Sequence, residues 1–280
     1  MPVLKPIKVL VVAISLMTLP APVWAEVDIA QLPIKEQWEI TIGGRLYDAW
    51  YSELEKDKPG STHPSYPAKG KGEGASTWRC KECHGWDYQG KDGAYRKGSH
   101  FTGIKGIQNQ DGKSLRRITR LLRNKAHGYT KDMIPDRELD YLAQFISKGQ
   151  KDFSNALNPD GTPKAADMNR GKYLYGVICE KCHGMDGTYL NFGDKDDPEF
   201  VGTVAIKNPQ ELLHKVRFGQ PGTGMISYGE FFERVAMEDM MGDSDWMSVL
   251  AHTQTLPTKI SAQRMEDMTN PIPGHQGEHN

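Results

Sequence analysis

The amino-acid sequence predicts an all-α protein with two domains in tandem. Amphipathic helices are the only long periodic elements in its 280 residues, and no segment alternates apolar and polar residues as a half-buried strand does. A five-residue motif, Cys-x-x-Cys-His, begins at Cys80 and again at Cys179, 99 residues further on. This spacing indicates an internal repeat with one copy of the motif in each domain.

Each half of the sequence has the same order of elements: a first helix, the motif, a loop-rich segment and closing helices. The predicted helices cover residues 44–50, 114–125 and 136–147 in the first half, and 171–178, 208–218 and 243–254 in the second. Pro135 and Asp136 mark the start of the helix at 136–147, and Pro209, at the first turn, marks the start of the helix at 208–218.

Turn-forming residues set the predicted domain boundaries. The first domain spans 26–150 and contains an inserted loop at about 52–76, which is rich in proline and glycine. A linker covers 151–166, the second domain 167–257, and a polar C-terminal tail 258–280. Loops as long as the insertion are often functional or mobile.

The first 25 residues have the pattern of a secretory signal peptide. Lys5 and Lys8 precede an apolar run at 9–19, which is about half the ~20 residues that cross a bilayer, and a small-x-small pattern ends at Ala25. We expect export to the periplasm with cleavage after Ala25, which would change the net charge from −1 to −3. An uncleaved membrane anchor is the alternative.

Composition excludes several classes of protein. Hydrophobic residues make up 38% and charged residues 25%, and the mean hydropathy of −0.61 excludes a polytopic membrane protein. With 35 basic and 36 acidic residues, the chain lacks the basic excess of nucleic-acid-binding proteins. The apolar fraction is low for two complete cores, so we expect another apolar component inside them.

All four cysteines belong to the two motifs: Cys80 and Cys83 in the first, Cys179 and Cys182 in the second. Two disulfides, or one zinc ion held by four thiolates, would account for the cysteine count alone. The histidine that follows each pair, His84 or His183, is instead typical of covalent c-type haem attachment, where the imidazole can reach the iron. The sequence therefore predicts two covalent haems, which would also supply the missing apolar mass.

These motifs and helices resemble the tandem class I c-type cytochromes, small all-helical domains that each surround one haem. The resemblance covers roughly residues 40–150 and 167–257. It implies that His84 and His183 are the proximal iron ligands, and that a methionine in the loop before the last helix is the distal ligand.

For the second domain the resemblance implies Met225, which follows a stretch of glycines and a proline that permits a tight turn. Ile226 stands where the family often has proline. The competing methionines lie in or near helical runs, where packing is the expected role: Met237, Met240, Met241 and Met247.

For the first domain the resemblance implies Met133, the only methionine between Cys83 and the linker. His127 is its rival and would give two imidazole ligands with a lower reduction potential. Otherwise His127 is a loop residue that could hydrogen-bond a haem propionate. His100 is a weaker rival.

Two protein ligands on each iron would leave no open position, which favours one-electron transfer without bond chemistry. The resemblance thus implies a periplasmic dihaem electron carrier with no catalytic residue. Its partners would be redox proteins, a dehydrogenase or quinol-oxidising complex as donor and a downstream acceptor, with no nucleic acid and with membrane contact only through a partner complex.

The alternative is a dihaem enzyme or an electron-accepting subunit, of a sulfur-compound (thiosulfate-type) dehydrogenase or a peroxidase-like enzyme. The absence of a fifth cysteine excludes a thiolate-ligated haem, whereas a histidine-ligated haem through His127 stays open. A third hypothesis is a redox-sensing or structural subunit that binds through the insertion.

Overall fold

The computed structural model describes residues 29–227 and 242–269. Within these ranges the protein is helical and has two isolated β-bridges but no strand, so the all-α prediction is confirmed there. In the same ranges no helix is both long and apolar enough to cross a bilayer. The predicted signal peptide and the candidates Met237, Met240 and Met241 lie outside the described residues.

The first half contains four α-helices: α1 (Ile34–Glu53), α2 (Cys80–His84), α3 (Leu115–Leu122) and α4 (Asp136–Gln144), the last extended by a π-helical turn at Phe145–Gly149. Helices α1 and α4 cross at Gly43, where an added Cβ would lie 2.6 Å from Phe145 Cβ. Only glycine permits this approach. Around the crossing lies the first hydrophobic core, which includes Ile40, Leu46, Leu139, Leu142 and Phe145.

In the second half, the described residues form six: α5 (Met168–Ile178), α6 (Glu180–His183), α7 (Val201–Lys207), α8 (Pro209–Phe218), α9 (Asp243–Thr253) and α10 (Ala262–Thr269). Asp167 caps α5 by accepting from the backbone N–H groups of Asn169 and Arg170. Helices α5 and α9 cross at Gly171, where an added Cβ would lie 2.6 Å from the carbonyl carbon of Ser248. The pair thus repeats the crossing of α1 and α4.

Short 3₁₀ turns connect these helices at Ile29–Gln31, Gly74–Trp78, Ala94–Arg96, Gln108–Gln110 and Ser154–Ala156.

The predicted helices are all present, but α1 begins ten residues before the predicted segment 44–50. The other ends differ by a few residues, and α2, α6, α7 and α10 were not predicted. Helix α7 has only seven residues, too few for an apolar period to be recognised. Helix α10 lies in the predicted polar tail, where Arg264 pairs with Asp186 at 2.8 Å. In the predicted linker, Phe153 and Leu157 are buried in the second hydrophobic core.

The two halves meet where α8 packs against α1. Phe218 of α8 belongs to the first core. Beside it, the buried carboxylate of Asp48 pairs with Arg79 of the first half and with Lys215 of the second. These two cations outweigh the effect of burial and hold the pKa of Asp48 down at about 2. We call this region, Asp48 with Arg79, His214 and Lys215, the joint.

Candidate functional site

Each motif presents two thiols and an imidazole from a single helical turn. Cys80 and Cys83 lie three residues apart on α2, which places them on one face of the helix, and His84 ends the helix. Cys182 and His183 end α6, and Cys179 immediately precedes it. The structure therefore brings the residues of each motif together.

The four cysteines are free thiols. Burial raises the pKa of Cys80 to about 11 and the pKa values of Cys83 and Cys179 to about 12, so these thiols are protonated. Among residues 29–227 and 242–269, no group of three or more His, Cys, Asp or Glu side chains is placed to hold a metal ion. In this part of the chain the cysteines are not joined as disulfides, and the two motifs are not gathered into one four-thiolate cluster.

In each half, a tyrosine of the first helix donates a hydrogen bond to the backbone directly after the motif. The hydroxyl of Tyr47 donates to the carbonyl of Gly85 at 2.6 Å, and the hydroxyl of Tyr175 donates to the carbonyl of Gly184 at 2.8 Å. Both glycines have a left-handed backbone, with φ 80° and ψ 161° at Gly85 and φ 79° and ψ 159° at Gly184. We call this arrangement the motif frame.

The backbone repeats beyond the glycines as well. The carbonyl of His84 accepts from Gly90 N–H at 2.8 Å, and that of His183 accepts from Tyr189 N–H at 3.0 Å. The fastening tyrosine stands 38 residues before its glycine in the first half and 9 before it in the second. The inserted segment accounts for this difference of 29 residues.

His84 is oriented by a backbone carbonyl. Its Nδ1 lies 2.8 Å from the carbonyl oxygen of Lys105, so Nδ1 carries the proton and donates it. Burial lowers the pKa of His84 to about 4, which keeps the ring neutral. A neutral imidazole fixed in this way presents Nε2 as an acceptor, as metal-binding histidines do. The first motif therefore fits a group with a central metal ion.

His183 has no such partner. Its Nδ1 is buried without a hydrogen bond, the ring of Phe192 lies 5.8 Å away, and burial lowers its pKa. Because buried polar atoms are rarely left without partners, the protein alone does not satisfy this imidazole. His183 therefore lacks the outer hydrogen bond that orients the ring of His84, and a group bound at its Nε2 would not supply that bond.

The distal candidates occupy different surroundings. The ring that faces His84 is that of His127, with centroids 6.2 Å apart and planes 25° from parallel. Met133 lies three residues before α4, partly buried against the first core, and its N–H donates to Thr130 Oγ1 at 3.3 Å. His100 instead stacks on Tyr95, with ring centroids 4.8 Å apart.

Met225 ends a closed loop that follows α8. Its carbonyl accepts from Gln220 N–H at 3.3 Å and from Arg45 Nη2 at 3.4 Å, while Arg45 Nε donates to the carbonyl of Phe218 at 2.7 Å. Gly219 and Gly222 have positive φ angles of 83° and 66°, which make the turn. Its competitor Met247 is buried in the second core, which suits a packing residue.

Three positioning contacts were not predicted from the sequence: the carbonyl of Lys105 on His84, Arg45 on the Met225 loop, and His63 on the carbonyl of His127. Each joins residues far apart in the chain, and no local pattern signals such a pair. Neither a protein-family model nor a curated protein nor a solved structure matches this chain.

Proposed function

We propose that this chain is an exported dihaem c-type cytochrome, built of two tandem class I-type domains, that carries single electrons between redox proteins. Cys80 and Cys83 would hold one haem and Cys179 and Cys182 the other, with His84 and His183 as proximal ligands. When bound, each haem supplies an iron that takes up and releases one electron.

The observation that carries this proposal is the repeated motif frame. Tyr47 and Tyr175 make the same hydrogen bond to glycines in the same conformation, directly after each histidine. Each copy holds two free thiols on one helical turn beside an imidazole whose pKa burial lowers. Two thiols and one imidazole are the attachments that a c-type haem requires, and the chain provides them twice.

In the second half we propose Met225 as the distal ligand. The Met225 loop is closed on itself and held at both ends by Arg45, so its side chain starts from a fixed backbone. A thioether is a weaker donor than imidazole and raises the potential of the iron it binds. Two ligands from the polypeptide leave no room for a substrate, which suits transfer of electrons alone.

The partners follow from this role. The donor would be a periplasmic dehydrogenase or quinol-oxidising complex, and the acceptor a downstream redox protein. Such proteins form small, weak complexes that opposite charges steer together. Contact with a membrane would come through the partner complex.

The second candidate function is a dihaem enzyme or an electron-accepting subunit, as in thiosulfate-type dehydrogenases or peroxidase-like enzymes. The ring of His127 beside His84 is the observation that favours it. Binding of carbon monoxide to the reduced wild-type protein without denaturant would support this candidate, because it needs an iron position that opens.

Haem attachment is tested by intact-protein and peptide mass spectrometry of the full chain, produced in a host that matures c-type cytochromes. We expect two haems per chain, one lost in Cys80→Ala/Cys83→Ala and the other in Cys179→Ala/Cys182→Ala. Lys181→Ala, which lies between two cysteines, is the matched control and keeps both. A chain that matures without covalent haem would overturn the proposal.

A further inference from the structure

We infer that His127, rather than Met133, is the distal ligand of the first haem, an inference that rests on the proposed function. The first half would then bind its iron through two imidazoles and the second through an imidazole and a thioether. Four observations support this assignment.

The first is the spacing of the two rings. An imidazole nitrogen binds a transition metal at about 2 Å and the ring centre lies about 1 Å behind it, so two imidazoles on opposite sides of one ion have centroids about 6 Å apart. The centroids of His84 and His127 are 6.2 Å apart. The distance between the two ring centroids therefore agrees with the value expected for one ion between them.

The second is the protonation of the two rings. Nδ1 of His84 lies 2.8 Å from the carbonyl of Lys105, and Nδ1 of His127 lies 2.9 Å from the carbonyl of Leu121. A carbonyl can only accept, so Nδ1 is the donor in both rings and the lone pair is on Nε2. Both histidines thus have the outer hydrogen bond that orients a metal-binding imidazole.

The third is the rigidity of the turn that carries His127. The side chain of Asn124 accepts from the N–H groups of Ala126 and His127, at 2.9 and 3.1 Å. Gly128, with φ 67°, donates its N–H to the carbonyl of Asn124 at 2.7 Å. A loop residue that only meets solvent needs no such support.

The inserted segment also holds this turn. Nε2 of His63 lies 2.8 Å from the carbonyl of His127, and Nδ1 of His63 accepts from Ser65 N–H at 3.0 Å. The ring of His63 packs on Trp78, with centroids 4.3 Å apart, next to the first motif. The insertion therefore connects the backbone of His127 to the segment that carries the motif of the proximal ligand, His84.

The fourth is the place of His127 in the repeat. Met225 follows the last residue of α8 by seven residues, and His127 follows the last residue of α3 by five. Met133 follows α3 by eleven and packs against the first core, so apolar burial accounts for it. Counted from the preceding helix, His127 is therefore closer than Met133 to the position that Met225 has in the second half.

The consequence is that the two haems have different potentials. Two imidazoles give a lower potential than an imidazole with a thioether. Electrons would therefore reside mainly on the second haem. The first haem would be reduced only by a stronger reductant. A potentiometric titration should show two separate one-electron waves, and His127→Met should bring the lower wave up toward the upper one.

The assignment is tested with the weak red-region sulfur-to-iron absorption band of the ferric protein, measured per haem. We expect the wild type to show the band of one methionine-ligated haem, Met133→Leu to leave it unchanged, and Met225→Leu to abolish it. His127→Met should double it. Met185→Leu, at an exposed methionine, is the matched control. A band that falls by half in Met133→Leu would overturn the inference.

A second measurement does not depend on the band. The reduced His127→Ala protein should bind carbon monoxide at one haem of two, and Met133→Ala should bind none. Haem content, measured on the same samples, separates the two proposals. Fewer than two haems in the wild type would contradict the proposed function, whereas two haems with carbon monoxide binding only in Met133→Ala would contradict this inference alone.

Discussion

The two motif sites have the same frame but different surroundings. In the first, Trp86 follows the motif glycine and is 2% exposed, whereas in the second the corresponding Met185 is 74% exposed. His84 has a carbonyl partner and His183 has none. The frame depends on one tyrosine and one glycine, which recur locally, but the burial of Trp86 depends on α8 of the second half, whose His214 and Lys215 pack on its ring. The first site is therefore the enclosed one, and under the proposed function a redox partner would approach the second.

The same difference appears in the apolar residues around the sites. Tyr189, Leu190 and Phe192, which follow the second motif, are exposed. The aromatic residues that follow the first motif, Trp86, Tyr88 and Tyr95, are buried. A cluster of exposed apolar side chains beside one site only is typical of an interaction surface. Among the described residues, the two motifs thus share a backbone frame, and exposed apolar side chains follow only the second.

The largest effect is expected at the joint, which makes the two halves depend on each other. Asp48→Ala leaves the cations of Arg79 and Lys215 without their buried partner, and removing one member of such a group costs about 3–5 kcal/mol. The free energy of unfolding of the purified protein, measured in urea, should fall by that amount.

Asp140→Asn, at an exposed position on α4, is the matched control and should change the stability by less than about 0.5 kcal/mol. Equal stabilities of the two variants would mean that the halves do not rely on the joint.

The helix crossings test whether the halves are packed as true repeats. Gly43→Ala and Gly171→Ala each place a Cβ against the backbone of the facing helix, and overpacking of this kind costs about 3 kcal/mol. Both variants should lose similar stability in the same urea titration.

Gly176→Ala, on the same helix as Gly171, meets no atom closer than 3.4 Å and should gain about 0.5–1 kcal/mol. A loss in only one of the two crossing variants would show that the halves are packed differently.

The pH dependence of stability should report on the joint as well. His214 is buried, receives a hydrogen bond from Tyr88 Oη at 2.8 Å and donates from Nε2 to the carbonyl of Gly44 at 3.0 Å. Burial lowers its pKa to about 3, with Lys215 acting in the same direction and Asp48 in the opposite one. At a pH below about 6.5, the ordinary pKa of histidine, the side chain of His214 therefore takes up a proton in the unfolded chain. The native state excludes this proton.

Stability should consequently fall as the pH decreases from about 6.5 toward 3, by about 2 kcal/mol between pH 6.5 and 5. In His214→Gln the free energy of unfolding should change less steeply with pH, because one titrating group has been removed. The difference between the two proteins isolates His214 from the other buried histidines. Parallel curves for both would mean that His214 is protonated in the native state.

The sequence predicts what is local and periodic and misses what is joined across the chain. Helix α8 is predicted because Pro209 starts it and apolar residues follow with helical spacing. In the sequence, by contrast, His127 is a single histidine in a loop. Only the fold brings it next to His84 and places the ring of His63, which precedes it by 64 residues, against its carbonyl. Likewise, the sequence shows His214 only as one residue of a helix. Its hydrogen bond with Tyr88, 126 residues away, is seen only in the structure. The pair of His214 and Tyr88 depends on how α8 packs on the first half, and the contacts of His127 depend on the fold of the first half itself. No short pattern encodes either.

The smallest effect tests the frame itself. Tyr47→Phe and Tyr175→Phe each remove a hydroxyl that donates to the carbonyl after the motif, and an unmade buried hydrogen bond costs about 1 kcal/mol. Equal losses in urea unfolding would mean that the frame contributes the same in both halves, whatever encloses it. Tyr173→Phe, exposed on the same helix as Tyr175, should change nothing. A loss confined to Tyr47→Phe would mean that the enclosed surroundings of the first site, rather than the repeated hydrogen bond, determine the stability of the frame.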